Sequence, residues 1–101
     1  MTGQGDDPLL GGFDLGPVRL KNRIFSSGHA LSHAEGGRPT DTTFRYQLEK
    51  AKGGIGLSFV GGSGTVSADT APVFDQLVIS HDIIPFFAEL SDAYHRHGAA
   101  L

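Results

Sequence analysis

Residues 39–60 read PTDTTFRYQLEKAKGGIGLSFV, and the parsing of this stretch decides the fold. Pro39-Thr40-Asp41 supplies an N-cap for a helix, because a short polar side chain there can accept from backbone N–H groups that have no partner inside the helix. Phe44, Leu48 and Ala51 follow at i, i+4 and i+7 and make one apolar stripe. Arg45 and Glu49 are expected to pair on the outer side, while Lys50 and Lys52 suit the negative C-terminal end of the helix dipole. Gly53 stops the helix. Ile55-Gly56-Leu57-Ser58-Phe59-Val60 then reads as a strand buried on both faces, as in a parallel sheet.

Upstream, Phe13, Leu15, Val18 and Leu20 alternate with other residues around Gly16-Pro17, which predicts a small β-hairpin. Arg23 to Ser27 forms strand one, stopping at Gly28, and Gly28 to Pro39 is a loop. Downstream, Gly61 to His81 is far longer than the usual connection of about 4–6 residues, and Val73 to Ile79 is expected to form a strand within it. Asp82 is expected to cap a second helix with Pro85 in its first turn, where a missing N–H costs little. Phe86, Leu90, Ala93 and His97 share a face of that helix, Gly98 ends it, and Ala99 opens strand three. The order strand, helix, strand, helix, strand predicts an α/β fold with a parallel sheet and right-handed crossovers. An open doubly wound sheet and the first part of a (β/α)8 barrel share this order, and periodicity alone does not choose between them.

With 101 residues the chain holds one domain at most. The run Gly98-Ala99-Ala100-Leu101 reads as the opening of an apolar strand without a polar cap, so the expected unit is a piece of a longer protein: a flexible terminus over 1–8 and a folded portion over 9–101. The net charge is −3 and the eight Lys and Arg residues are scattered, which leaves no footprint for nucleic acid. Asp6 and Asp7 stand where a signal peptide needs positive charge, and no window reaches the roughly 18 apolar residues of a membrane span. The expected location is the cytoplasm, away from membranes. Without cysteine the chain has no disulfides and no thiolate metal site.

Candidate chemistry concentrates at strand ends. Val60-Gly61-Gly62-Ser63-Gly64 offers the close backbone approach that phosphates and flat cofactor rings need, though it is no dinucleotide fingerprint and, as an isolated signal, reads more readily as a plain flexible loop. His29 and His33 stand four apart, a spacing that on a helix can place two imidazoles on one metal; here it falls in a glycine-rich loop with no accompanying carboxylate pattern, so no metal is assigned. His29 lies just past the C-terminal end of strand one, where α/β proteins place ligands and catalytic groups; a solvated loop histidine is the other reading. His95 and His97, in the last turn of the second helix, read as structural. Ser26, Ser27 and Ser63 lack the setting of a nucleophile, and the catalytic residues themselves stay unassigned.

Leu15-Gly16-Pro17-Val18-Arg19-Leu20-Lys21-Asn22-Arg23-Ile24 resembles the opening of the old yellow enzyme family, FMN-dependent (β/α)8-barrel oxidoreductases of the NADH:flavin type. The resemblance continues through Lys52 to Leu57, Asp82 to Pro85 and Ala93 to Ala99. It implies an N-terminal fragment of a TIM barrel preceded by a β-hairpin. It also implies that Gly28, His29 and Ala30 lie against the flavin, at positions where most members carry Pro, then Met or His, then Cys or Thr. Gly28 and Ala30 depart from that pattern, and Ala30 has no hydroxyl or thiol to offer the ring. Gly62 corresponds to a flavin-facing position in the branch that holds dienoyl-CoA reductases. Ser26 to Ala30 followed by Ala34-Glu35-Gly36-Gly37 looks most like the branch that demethylates N-methylated amino acids such as N-methylproline.

The expected function is therefore that of an FMN-dependent oxidoreductase, an N-methyl amino acid demethylase or an enoate reductase. NAD(P)H is the expected electron partner, the substrate a small molecule, and a 4Fe-4S cluster belongs to sequence outside this chain. The 101-residue chain alone is expected to be inactive. The alternative is a non-catalytic truncated remnant or a small α/β binding module. Oligomeric state is not legible in these residues.

Overall fold

The structure, a computed structural model, describes residues 7–30, 32–61, 64–67, 69 and 77–101. Residues 1–6, Gly62, Ser63 and the Val73 to Gln76 part of the expected inner strand lie outside the described residues. Asp7 accepts from the backbone N–H of Leu9 and starts a 3-10 turn over Pro8–Leu10. Strands β1 (Phe13–Leu15) and β2 (Val18–Leu20) then pair antiparallel with Phe13 opposite Leu20. Gly16, at φ +57°, supplies the left-handed conformation the two-residue connection requires. Asp14 and Arg19 face each other across the ladder in an exposed ion pair of 2.8 Å.

Strand β3 is Phe25–Ser26, shorter than the Arg23–Ser27 expected. Helix α1 spans Asp41–Lys52, capped by Thr40, whose hydroxyl accepts from the N–H of Thr43 while the Thr43 hydroxyl accepts from the N–H of Thr40. The chain leaves α1 through Gly53 and turns at Gly54, at φ +101°, into strand β4 (Leu57–Ser58). β3 and β4 are parallel, Phe25 beside Leu57, and Ala100 bridges to Leu57 on the other side, also parallel. Asn22 locks the entry to this sheet: it is buried, its Nδ2 donates to Gly54 O at 2.8 Å, and its Oδ1 accepts from Ile24 N at 3.1 Å. Gly56 passes so close to Asn22 that any Cβ there would collide with it.

Strands β5 (Gly64–Thr65) and β6 (Leu77–Val78) form a second parallel pair inside the long connection. A 3-10 turn over His81–Ile83 leads into α2 (Ile84–Arg96), with Pro85 in the first turn. Asp82 caps neither element; its carboxylate pairs with Arg38 at 2.8 Å, and the 3-10 turn, which starts at Ser80, moves the helix start beyond its reach. Gly98 closes the helix at φ +75°.

The core lies between the helices and one face of the sheet. It consists of Ala51, Leu90, Tyr94 and Ala99, with Phe44, Leu48, Ile55, Val60, Phe86, Phe87 and Leu101 packed around them. Three expectations change here. Tyr94, not His97, completes the buried face of α2, because His97 is already the C-cap and stands in solvent. Glu49 pairs with Lys52 at 3.7 Å rather than with Arg45, a choice between exposed neighbours worth only a few tenths of a kcal/mol. Finally, β4 is not buried on both faces: Ser58 points into the helical layer, whereas Phe25 and Phe59 on the opposite face are 60% and 53% exposed. The helices cover one side of the sheet, and among the described residues only the β1–β2 pair borders the other, where Phe13, Leu15, Phe25, Leu57 and Phe59 line an apolar hollow.

Candidate functional site

The chain past Ser26 runs through Ser27 into Gly28, His29 and Ala30, all exposed at the C-terminal end of β3. α1 returns antiparallel over this strand, so residues later in the helix lie beside residues earlier in the strand. Lys50 therefore reaches Ser26, donating from Nζ to Oγ at 2.9 Å. One turn earlier, the Tyr46 hydroxyl sits 2.9 Å from His29 Nε2. The two rings meet edge to face, 5.9 Å apart, and His33 meets the same tyrosine ring at 6.0 Å. Lys50 Nζ also stands 4.9 Å from the Tyr46 ring centroid, a cation–π contact. Partial burial of the ammonium lowers the Lys50 pKa below its usual 10.5.

The two histidines thus share Tyr46 through ring edges and a hydroxyl, and no cluster of three metal-ligating side chains occurs among the described residues. His33 Nδ1 is buried without a hydrogen-bond partner among the described residues. Sequence reasoning singled out His29 but missed Tyr46 and read Lys50 only as a dipole partner. The available signal was their spacing of four, which sets both on one helix face.

Loops from the two strand ends are tied together. Glu35 and Arg38 form a bridge that makes Gly37 the tip of a tight turn. Gly37 O accepts from Val78 N at 2.8 Å, and the approach is so close that a Cβ on Gly37 would overlap the Val78 side chain. The Arg38–Asp82 pair adds a second link. Past β4, Gly61 adopts φ +68° with open space where a Cβ would be; Gly62 lies outside the described residues. His95 and His97 stand apart from this region at the end of α2, where the His97 carbonyl accepts from Lys21 Nζ at 2.7 Å. No helix among the described residues is long and apolar enough to cross a membrane.

Comparison with known proteins agrees with the resemblance read in the sequence. No family model matches the chain. Over its full length the chain is 43% identical to a multifunctional alkene reductase/demethylase OYE of Caballeronia cordobensis, of which it covers 15%. It is 37% identical, over 95% of its length, to a probable N-methylproline demethylase of Rhizobium meliloti, of which it covers 14%. Among solved structures, the old yellow enzyme homologue of Zymomonas mobilis superposes on 92% of the chain with a TM-score of 0.75 at 19% identity; the chain covers 26% of it and shares its fold there. The chain spans about a seventh of the length of these curated relatives. The likeness to the old yellow enzyme family holds along the whole chain.

Proposed function

We propose that this chain, as a segment of an old yellow enzyme family protein, contributes the opening hairpin, the first two strands and one side of the FMN pocket of a (β/α)8-barrel oxidoreductase. Residues 9–101 form that portion and residues 1–8 a flexible lead. The observation that carries the reading is the parallel β3–β4 pair, flanked among the described residues by α1 and α2 on one face, in a chain 43% identical throughout to an alkene reductase/demethylase. A barrel packs helices outside its sheet and fills its interior with layers of side chains from its own strands. The exposed Phe25 and Phe59 are then inward-facing side chains.

The residues at the strand ends fit a flat ring. Gly28 and Ala30 are small and exposed, and Gly61 leaves open space beside its backbone. Gly28, His29, Ala30 and Gly62 are the proposed flavin-contacting positions. When bound, FMN would supply hydride transfer. The chain's own part is to offer backbone at close range and to set the imidazole of His29 near the ring. NAD(P)H is the proposed electron partner, the substrate a small molecule and the location the cytoplasm. The relatives' names favour oxidative N-demethylation of an amino acid or reduction of an alkene. The chain has no cysteine, so any 4Fe-4S cluster of the whole protein is ligated outside it.

The test is to purify the full-length protein, identify the cofactor released on denaturation, and follow bleaching of the flavin band anaerobically with NADPH, NADH and N-methylproline. Reoxidation by an α,β-unsaturated ketone is then scored. A yellow protein releasing FMN and reduced by one of these donors is the expected result. A colourless protein that takes up no FMN would overturn the reading.

A further inference from the structure

Three features stood out beyond the proposed pocket: the apolar hollow under the β1–β2 pair, the partnerless buried His33 Nδ1, and the tyrosine that joins two histidines and a lysine. The hollow is the inward face already assigned to the rest of the barrel, and His33 Nδ1 has no polar partner among the described residues from which a role could be argued. The tyrosine carries further.

We propose that Tyr46 is the positioning residue for His29: from the middle of α1 it donates its phenolic O–H to Nε2 and holds the imidazole in the form protonated on Nδ1. The assignment follows from the two contacts of the ring taken together. Nδ1 lies 3.5 Å from the carbonyl oxygen of Ser27, a long contact but one in which oxygen can only accept. The proton therefore belongs on Nδ1, since the other tautomer would set a nitrogen lone pair against a carbonyl lone pair. Nε2 is then an acceptor, and the group 2.9 Å away is a hydroxyl able to donate.

Tyr46 can perform this task because it is itself held. Lys50 stands over its ring at 4.9 Å, tethered in turn to Ser26 Oγ, and the His33 ring braces it from another side. The helix carrying it is pinned by the Thr40–Thr43 capping box, and Thr40 Oγ1 also donates to His33 O at 2.9 Å. A hydroxyl has a further property that a carbonyl or an ammonium lacks. If Nε2 gains a proton, the hydroxyl turns and accepts from it, so the ring keeps its place while its charge changes.

One consequence concerns the pocket. Both nitrogens of neutral His29 are engaged by Ser27 and Tyr46, so the ring offers a neighbouring flavin its carbon edge or face, not a free N–H. That His29 borders a flavin rests on the function proposed above; its orientation by Tyr46 does not.

The test uses full-length protein labelled with nitrogen-15 in histidine, at about pH 8, above the ordinary imidazole range near 6.5. The His29 signals are assigned by their loss in His29→Ala. In the wild type, the nitrogen without a proton should be Nε2. In Tyr46→Phe, which keeps the ring, the Lys50 contact and the helix, the fixed tautomer should give way to a mixture, with a shift at both nitrogens. A wild-type His29 protonated on Nε2, or nitrogen shifts unchanged in Tyr46→Phe, would overturn the inference, and the wild-type spectrum decides even if the variant fails to fold. Flavin absorbance, recorded on the same samples, separates the two readings. A tautomer change in Tyr46→Phe while neither variant alters the flavin band supports the positioning role and removes His29 from the flavin site.

Discussion

His29 and His97 are both exposed imidazoles, and their difference lies wholly in what surrounds them. His29 sits at a strand end with Ser27 and Tyr46 on its nitrogens, whereas His97 caps a helix and serves through its carbonyl. In the full-length protein, His29→Ala should keep the fold and most FMN binding, shift the flavin spectrum, and slow reduction by about tenfold, roughly 1.4 kcal/mol of barrier. His97→Ala should do none of these. Stopped-flow reduction of both variants checks this, and equal wild-type rates with unchanged spectra would withdraw His29 from the site. Tyr94 supports a prediction of another kind. Burial pushes its phenol above the usual 10.0, and its O–H is donated to Gln47 O. The folded chain therefore keeps a proton that the unfolded chain loses first, so this stabilisation is whole below pH 10.0 and drains as pH rises through the raised value. Tyr94→Phe should cost about 1 kcal/mol at neutral pH through the lost hydrogen bond, and should flatten the alkaline fall in stability. Denaturant midpoints on either side of that range would show both effects.

At the scale of the element, α1 is the part whose beginning and end were most fully written in the chain. Thr40 caps it as the Pro39-Thr40-Asp41 run predicts, and Lys50 and Lys52 occupy its last turn. Thr40→Ala removes a cap worth about 1 kcal/mol and also frees the His33 carbonyl from the Thr40 hydroxyl. It should lower stability by roughly 1–2 kcal/mol, read by thermal unfolding, and raise hydrogen exchange in the first turn of the helix; an unchanged melting curve would contradict the cap's role. The buried face was less legible. Gln47, 1% exposed, sits where an apolar stripe would have Leu or Ile; its backbone carbonyl accepts from the Tyr94 hydroxyl, a bond any residue there could accept, and nothing in the structure explains the amide side chain. In α2, Leu90 is fully buried, and Leu90→Ala should cost about 2–5 kcal/mol.

For the molecule as a whole, the decisive quantity is apolar surface with no cover among the described residues. Phe13, Leu15, Val18, Phe25 and Phe59 are each between 44% and 60% exposed, and exposed apolar groups contiguous on one side mark an association face. Among the described residues β3 also has one strand edge without a partner, a template for intermolecular pairing. The 101-residue chain expressed by itself should therefore self-associate and fail to retain FMN. Gel filtration with absorbance near the flavin maximum tests both; a yellow monomer would refute the assignment of this face to the barrel interior.

What the amino-acid sequence determined by itself is local: which residues turn, which begin and end helices, and the alternation of strand and helix. Each follows from the conformational limits of one residue or from contacts within one turn, as with Gly16, Thr40, Pro85 and Gly98. The tertiary structure alone decided which side of β4 is covered, that Asp82 answers Arg38 rather than a helix end, and that Tyr46 and Lys50 join His29 and Ser26. These pairs lie 17 to 44 residues apart in the chain. No short-range pattern encodes them, because the packing of α1 back across β3 is what brings a hydroxyl and an ammonium to the end of that strand.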